Sequence, residues 1–170
     1  MFAHSVSLRE TGSKRRGCNL EYFMAIWVDA DACPKAIKAI ICKAAERKKI
    51  TTVFVANHFI QMPPSKVISS LHVAQGYDVA DSTILERMQI GDLVITADVP
   101  LAAEVIANQG VALNPRGTLY TQENIKGLLQ RRNNAEQLRD LGQLRGGPSA
   151  LDKRNIQEFA NALDRFLAKT

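Results

Sequence analysis

Ala25-Ile26-Trp27-Val28-Asp29-Ala30-Asp31-Ala32-Cys33-Pro34-Lys35 decides the fold of this chain. Four apolar residues, rich in β-formers, run into two carboxylates one residue apart. Pro34 follows, and a helical pattern begins. The reading is a buried strand, a tight loop and a helix. In open α/β sheets, ligands bind beyond the carboxyl ends of the strands. Asp29 and Asp31 belong to such an edge. Two acids there repel one another, and a cation or a shared proton compensates.

Outward from this stretch the same alternation repeats. The first strand covers about 25–29 and the first helix about 34–48, with Pro34 at the first helical position, where its missing N–H costs nothing. Ile37, Ile40, Ile41 and Ala44 form the buried stripe of that helix, and Lys35, Lys38, Lys43, Arg47 and Lys48 its wet side. Further strands are expected at 51–56, 67–73, 93–96 and 111–113. Helices are expected at 83–90, 99–109, 121–132 and 151–168, with a polar loop over 133–150. Thr83 and Glu86 fit a capping box. Asp78 and Asp92 read as turn residues. Ile156, Phe159, Leu163 and Phe166 form the stripe of the last helix. β-α-β alternation with short connections predicts one α/β domain over 24–170, a doubly wound parallel sheet flanked by helices. Residues 1–23 carry no periodic pattern and no signal-peptide core. They read as a disordered extension, with Met24 a natural start.

Composition sets outer limits. The chain has 170 residues, 46% of them hydrophobic, enough for one core. No run approaches the roughly 18 apolar residues of a membrane span. Three cysteines, Cys18, Cys33 and Cys42, form no C-x-x-C, which favours free thiols in a cytoplasm. His4, His58 and His72 lack metal-site spacing and read as surface residues. The net charge is +5; Arg9, Lys14, Arg15 and Arg16 against Glu10 and Glu21 carry two of those charges, leaving +3 for the folded part. This permits a nucleic-acid partner without requiring one.

The main chemical signal is four acids. Asp29 and Asp98 each close an apolar strand, and across the switch point of the sheet they would face each other. Asp81 opens the helix before the fourth strand and Asp31 follows the first strand; their structural alternatives are helix caps. An oxygen-rich cluster of this kind suits Mg²⁺ or Mn²⁺. Asp29, Asp81 and Asp98 are the expected metal set, with Asp31 beside them in catalysis. Thr96, at the end of the fourth strand, and Arg116, in the turn Asn114-Pro115-Arg116-Gly117, are candidate substrate-binding residues. Cys33 reads as a small packed residue in a tight turn, and Cys42 as packing. Arg131, Arg132, Arg139, Arg145, Lys153 and Arg154 make the C-terminal part basic, without the interleaved aromatics that stack on single strands.

These residues carry a resemblance. Trp27-Val28-Asp29-Ala30-Asp31-Ala32-Cys33-Pro34, Val79-Ala80-Asp81-Ser82, Thr96-Ala97-Asp98-Val99-Pro100, Asn114-Pro115-Arg116-Gly117 and Gly147-Pro148 ahead of Asp152 resemble the YaiI/YqxD family of uncharacterised bacterial proteins. The likeness spans nearly all of 24–168. More remotely the chain is similar to the PIN-like nucleases, whose acids close strand 1, open a helix and close strand 4. Asp29, Asp81 and Asp98 match those positions. The resemblance implies a PIN-like fold and a Mg²⁺- or Mn²⁺-dependent nuclease, acting on RNA.

Two other functions compete. An apolar strand ending in Asp-x-Asp also resembles the haloacid-dehalogenase phosphatases; Asp29 would be the nucleophile, Asp31 the general acid and Thr96 the phosphate binder. In a non-catalytic nucleic-acid or protein-binding module, the acids would serve only as caps.

Overall fold

The computed structural model describes residues 23–76, 78–147 and 149–170. Apart from Phe23, the expected disordered extension lies outside the described residues, as do Tyr77 and, from the Gly147-Pro148 motif, Pro148. Strand β1 (Ile26–Asp29) leads through a single 3₁₀ turn (Ala30–Ala32) to α1 (Lys35–Lys48). Then come β2 (Thr52–Ala56), β3 (Ile68–His72), α2 (Val79–Arg87), β4 (Leu93–Ile95) and α3 (Val99–Ala107). The chain ends with β5 (Val111–Leu113), β6 (Leu119–Tyr120), α4 (Gln122–Asp140) and α5 (Lys153–Leu167).

The six strands form one sheet in the order β3-β2-β1-β4-β5-β6. The first four pairings are parallel, in the register Trp27 with Val53 on one side and Val94 on the other. The expectation of a wholly parallel sheet is corrected at its last strand. β6 pairs antiparallel with β5, because the short 114–118 connection can only fold the chain straight back.

β1 is buried at all four positions, as a central strand covered on both faces must be. Its alternation sorts the core into two clusters. Ile26 and Val28 pack with Ile37 and Ile41 of α1 and with Phe159 and Leu163 of α5. Trp27 packs on the opposite face with Ile84 of α2, Leu101 and Val105 of α3, and Ile125 of α4. β1 and β4 are neighbours, yet the chain leaves β1 toward β2 and β3 and returns on the other side to β4. Their carboxyl ends therefore flank a crevice, where the connections diverge. Among the described residues, no helix is long and apolar enough to cross a membrane.

Several boundaries differ from the sequence expectation. α1 starts at Lys35, with Pro34 as N-cap, so Pro34 is not its first residue and Asp31 does not cap it. α2 starts at Val79, because Ala80 packs on the core and draws the turn into the helix. Asp81 therefore sits inside the first turn instead of capping it. Thr83 Oγ1 donates to the Val79 carbonyl (2.8 Å), which replaces the expected capping box. α4 runs eight residues beyond the expected end, through a polar stretch with no apolar period. Its start is fixed by a reciprocal Thr121–Asn124 capping box.

Asp92 is more than a turn residue. Buried at the amino end of the sheet, its carboxylate accepts from the N–H groups of Ala25 (2.9 Å), Gln89 (2.9 Å) and the Trp27 indole (3.0 Å). It ties β1 to the turn before β4. The other tie is the Asn114-Pro115-Arg116-Gly117 turn. Arg116 donates to Asn155 Oδ1 (3.0 Å) and to the Ser149 carbonyl, fastening α5 to the sheet. Gly117 has φ +94°, and a Cβ there would lie 2.6 Å from the Glu158 carbonyl carbon and 2.7 Å from the Phe159 nitrogen. Gly117→Ala therefore combines left-handed strain with a clash against rigid backbone. It is expected to cost at least about 2 kcal/mol in urea unfolding; a variant as stable as the wild type would refute this docking.

Candidate active site

The carboxyl edge of β1 and β4 gathers Asp29, Thr96 and Asp98 by hydrogen bonds. Thr96 is 1% exposed. Its hydroxyl donates to Asp29 Oδ2 (3.1 Å) and accepts from the Asp98 N–H (3.0 Å). Asp98 caps α3, its Oδ1 accepting from the Leu101 N–H (3.0 Å), with Pro100 in the first turn. Behind this group, Asn114 Nδ2 donates to Tyr120 Oη (2.7 Å), which donates to the Thr96 carbonyl (3.3 Å). β6, unforeseen from the sequence, thus braces the edge. Thr96 was expected on a substrate phosphate, but its hydroxyl is occupied within the protein. It connects the Asp29 carboxylate to the backbone of Asp98.

Asp81 and Asp98 line one shallow pocket with Asp78, Glu104 and Arg132. The acids feel one another. Burial raises the Asp29 pKa first, and the charges of Asp31 and Asp98 raise it further against the lowering hydrogen bond from Thr96. Asp81 is pushed up to about 7, by burial and then by Asp98, Asp29, Asp78 and Glu104. The cation at this pocket is Arg132, from the face of α4 turned toward α3; it also reaches Glu136 (3.3 Å). In the sequence it was one member of a general basic segment. Arg116 is engaged with α5, and it does not line this pocket.

Asp31 points elsewhere. Its Oδ2 accepts from the Asn57 N–H (3.0 Å) and its Oδ1 meets His58 Nδ1 (2.7 Å). This links the 3₁₀ turn to the end of β2 and gives His58 a partner that its spacing did not reveal. Cys33 is buried, and burial pushes its thiol up to about 12, so it packs as a neutral thiol instead of acting as a nucleophile.

The three-carboxylate set expected around a single ion is not assembled. Among the described residues, no three His, Cys, Asp or Glu side chains are spaced to hold a metal. Mg²⁺, however, commonly takes only one or two carboxylates and fills its shell with water and substrate phosphate. The donor chemistry here, oxygen-only and mutually repelling, fits an ion held in that hydrated manner.

Comparison with known proteins agrees with the motifs that frame this edge. The model of a family described as "Uncharacterized BCR, YaiI/YqxD family" matches residues 27–169. The chain belongs to the YaiI/YqxD family. Similar members are UPF0178 proteins of Pseudoalteromonas translucida (55% identical over 147 residues, 86% of this chain and 97% of that protein), Shewanella amazonensis (54% over 146 residues, 86% and 98%) and Dechloromonas aromatica (55% over 146 residues, 86% and 97%). No solved structure matches. The family is uncharacterised, so the chemistry of this YaiI/YqxD member must come from its own edge.

The crowding has a consequence for stability. A carboxyl with a raised folded-state pKa holds its proton more tightly in the folded protein. The fold is favoured while both states are protonated and loses that advantage as pH rises toward the folded value. Asp81→Asn cannot ionise. Its stability relative to the wild type is expected to rise from about pH 4 to about pH 7 and then level, by on the order of 1 kcal/mol because solvent screens a half-buried group. Thermal unfolding across this range measures it; a pH-independent difference would show that Asp81 does not feel its neighbours.

Proposed function

We propose that this protein is a Mg²⁺- or Mn²⁺-dependent phosphodiesterase acting on RNA, with a PIN-like arrangement of Asp29, Asp81 and Asp98. The observation that supports the reading is the β1/β4 carboxyl edge, where Thr96 joins Asp29 to the backbone of Asp98 and Asp98 shares a pocket with Asp81. Nothing in a stable fold requires like charges to be crowded at the edge where α/β sheets bind ligands. Asp92, at the opposite edge, illustrates the structural use of a carboxylate: buried and accepting from three N–H donors.

Asp29 and Asp98 would hold the cation, with Asp81 in the pocket that Asp98 also lines. The bound ion would polarise a phosphoryl oxygen and lower the pKa of a water. The chain supplies the rest. Thr96 fixes the Asp29 carboxylate against the start of α3, so the two principal acids keep their relative position. Arg132 offers the phosphate a charge-assisted hydrogen bond from the far wall of the pocket. Asp31, both oxygens engaged by Asn57 and His58, is poorly placed for the general-acid role of a phosphatase.

Asp98→Asn tests the reading cleanly. Asparagine caps helices as well as aspartate, so α3 keeps its N-cap while the site loses a charge. Wild-type protein with Mn²⁺ is expected to cleave single-stranded RNA. Asp98→Asn is expected to be slower by a factor of about 100 or more with a melting temperature no lower than that of the wild type, and EDTA should stop the wild type. Equal cleavage by both proteins, or no cleavage by the wild type, would contradict the assignment.

A further inference from the structure

A carboxylate cluster repels the polyanion it is meant to cut, so a nuclease site needs cations beside it. One cationic surface adjoins the edge and is used by nothing described above. It is a groove of about 650 Å³ between α1 and the 58–63 loop, lined by Lys35, Lys38 and Lys43, by Ala39 and Cys42 between them, and by Phe59. At 100° per residue, Ala39 and Cys42 face the groove floor while Lys38 and Lys43 stand on either side. None of the three lysines forms an ion pair among the described residues, and no acid lines the groove. Phe59 is 81% exposed, an apolar ring held in solvent where packing gives it no reason to be.

The groove begins at the same carboxyl edge, on the α1 side of the sheet, and shares no lining residue with the pocket of Asp81 and Asp98. The loop that carries Phe59 leaves the carboxyl end of β2, where Asp31 fastens it through Asn57 and His58, two residues beyond Asp29. α1 also begins at this edge. The sequence showed no aromatic interleaved with basic residues; the fold builds the combination from two segments about twenty residues apart.

We infer that the α1–loop groove binds single-stranded nucleic acid next to the acidic edge, with Lys38 and Lys43 on successive phosphates and the Phe59 ring stacked on a base. The assignment rests on the nuclease reading for its partner and deepens it by naming where the strand lies. Charge complementarity favours a polyanion over an apolar protein partner, and an exposed ring favours unpaired bases, because a duplex keeps its base faces covered.

The test is fluorescence anisotropy of a labelled single-stranded RNA, with the full chain and in EDTA, so that binding is read without cleavage. Phe59→Ala is expected to weaken binding about tenfold. The double charge reversal Lys38→Glu with Lys43→Glu is expected to weaken it more and to flatten the salt dependence by roughly 0.7 in log–log slope per lost phosphate contact. A duplex of equal length should bind more weakly. All three substituted residues are on the surface, and unchanged melting temperatures would show that the fold is intact. Affinity unchanged in both variants, or equal affinity for duplex, would overturn the groove. So would a wild type that binds no RNA but forms a dimer dissolved by Phe59→Ala, which would make this a self-association face. Groove variants that lose binding in a protein that never cleaves would leave the groove standing and remove the nuclease; cleavage with unaltered binding would do the reverse.

Discussion

One hydroxyl holds the carboxyl edge together. Thr96 Oγ1 bridges Asp29, at the end of β1, and the backbone of Asp98, at the start of α3. The bridge exists because β1 and β4 are adjacent parallel strands ending together, and because the connections diverge there. The hydrogen bond stabilises the Asp29 carboxylate but does not compensate for its burial and its acidic neighbours, since its pKa is still raised. The edge therefore disfavours the charged form of Asp29. The rest of the fold keeps it so: Tyr120 and Asn114 brace Thr96 from behind, and Arg116 and Gly117 dock α5 on the turn that carries Asn114.

The two ends of the sheet contrast in their use of acids. At the amino end, Asp92 collects three N–H donors and fastens β1 to the turn before β4. At the carboxyl end, Asp29 is joined through Thr96 to the backbone of Asp98, Asp81 shares a pocket with Asp98, and burial with neighbouring charge raises the pKa of Asp29 and Asp81, a cost to their charged forms. The cost is reasonable where a cation or a substrate proton relieves it, which is why the nuclease reading is preferred to one in which the acids serve only as caps. Asp98 does cap α3, so capping and chemistry are compatible in one residue.

The fold was largely legible because central parallel strands read as continuous apolar runs. Ile26–Val28, Val53–Ala56 and Leu93–Ile95 could hardly be anything else. Elements without that signal were misread: β6 is only two residues long, and the second half of α4 is polar all round. The acids Asp29 and Asp98 were legible because each ends such a run. The partners were not. Asp92 looked like an ordinary turn residue, and only the fold brings the Trp27 indole, 65 residues earlier, onto its carboxylate. Thr96 and Arg116, read as substrate-binding residues, donate hydrogen bonds inside the protein, to Asp29 and to Asn155 and Ser149, which spacing cannot show. Arg132 and Phe59 reach their positions through helix packing and a loop, beyond the reach of local pattern.

The central claim is that Asp29, Asp81 and Asp98 share one field at the crevice. Carboxyl carbon NMR titration of Asp81, in the wild type and in Asp98→Asn, measures this directly. The account predicts that Asp81 titrates at about 7 in the wild type and falls toward the ordinary carboxylate range when the Asp98 charge is removed. An Asp81 that titrates in the ordinary range, or that is indifferent to Asp98→Asn, would mean that the acids do not act together and would contradict the account.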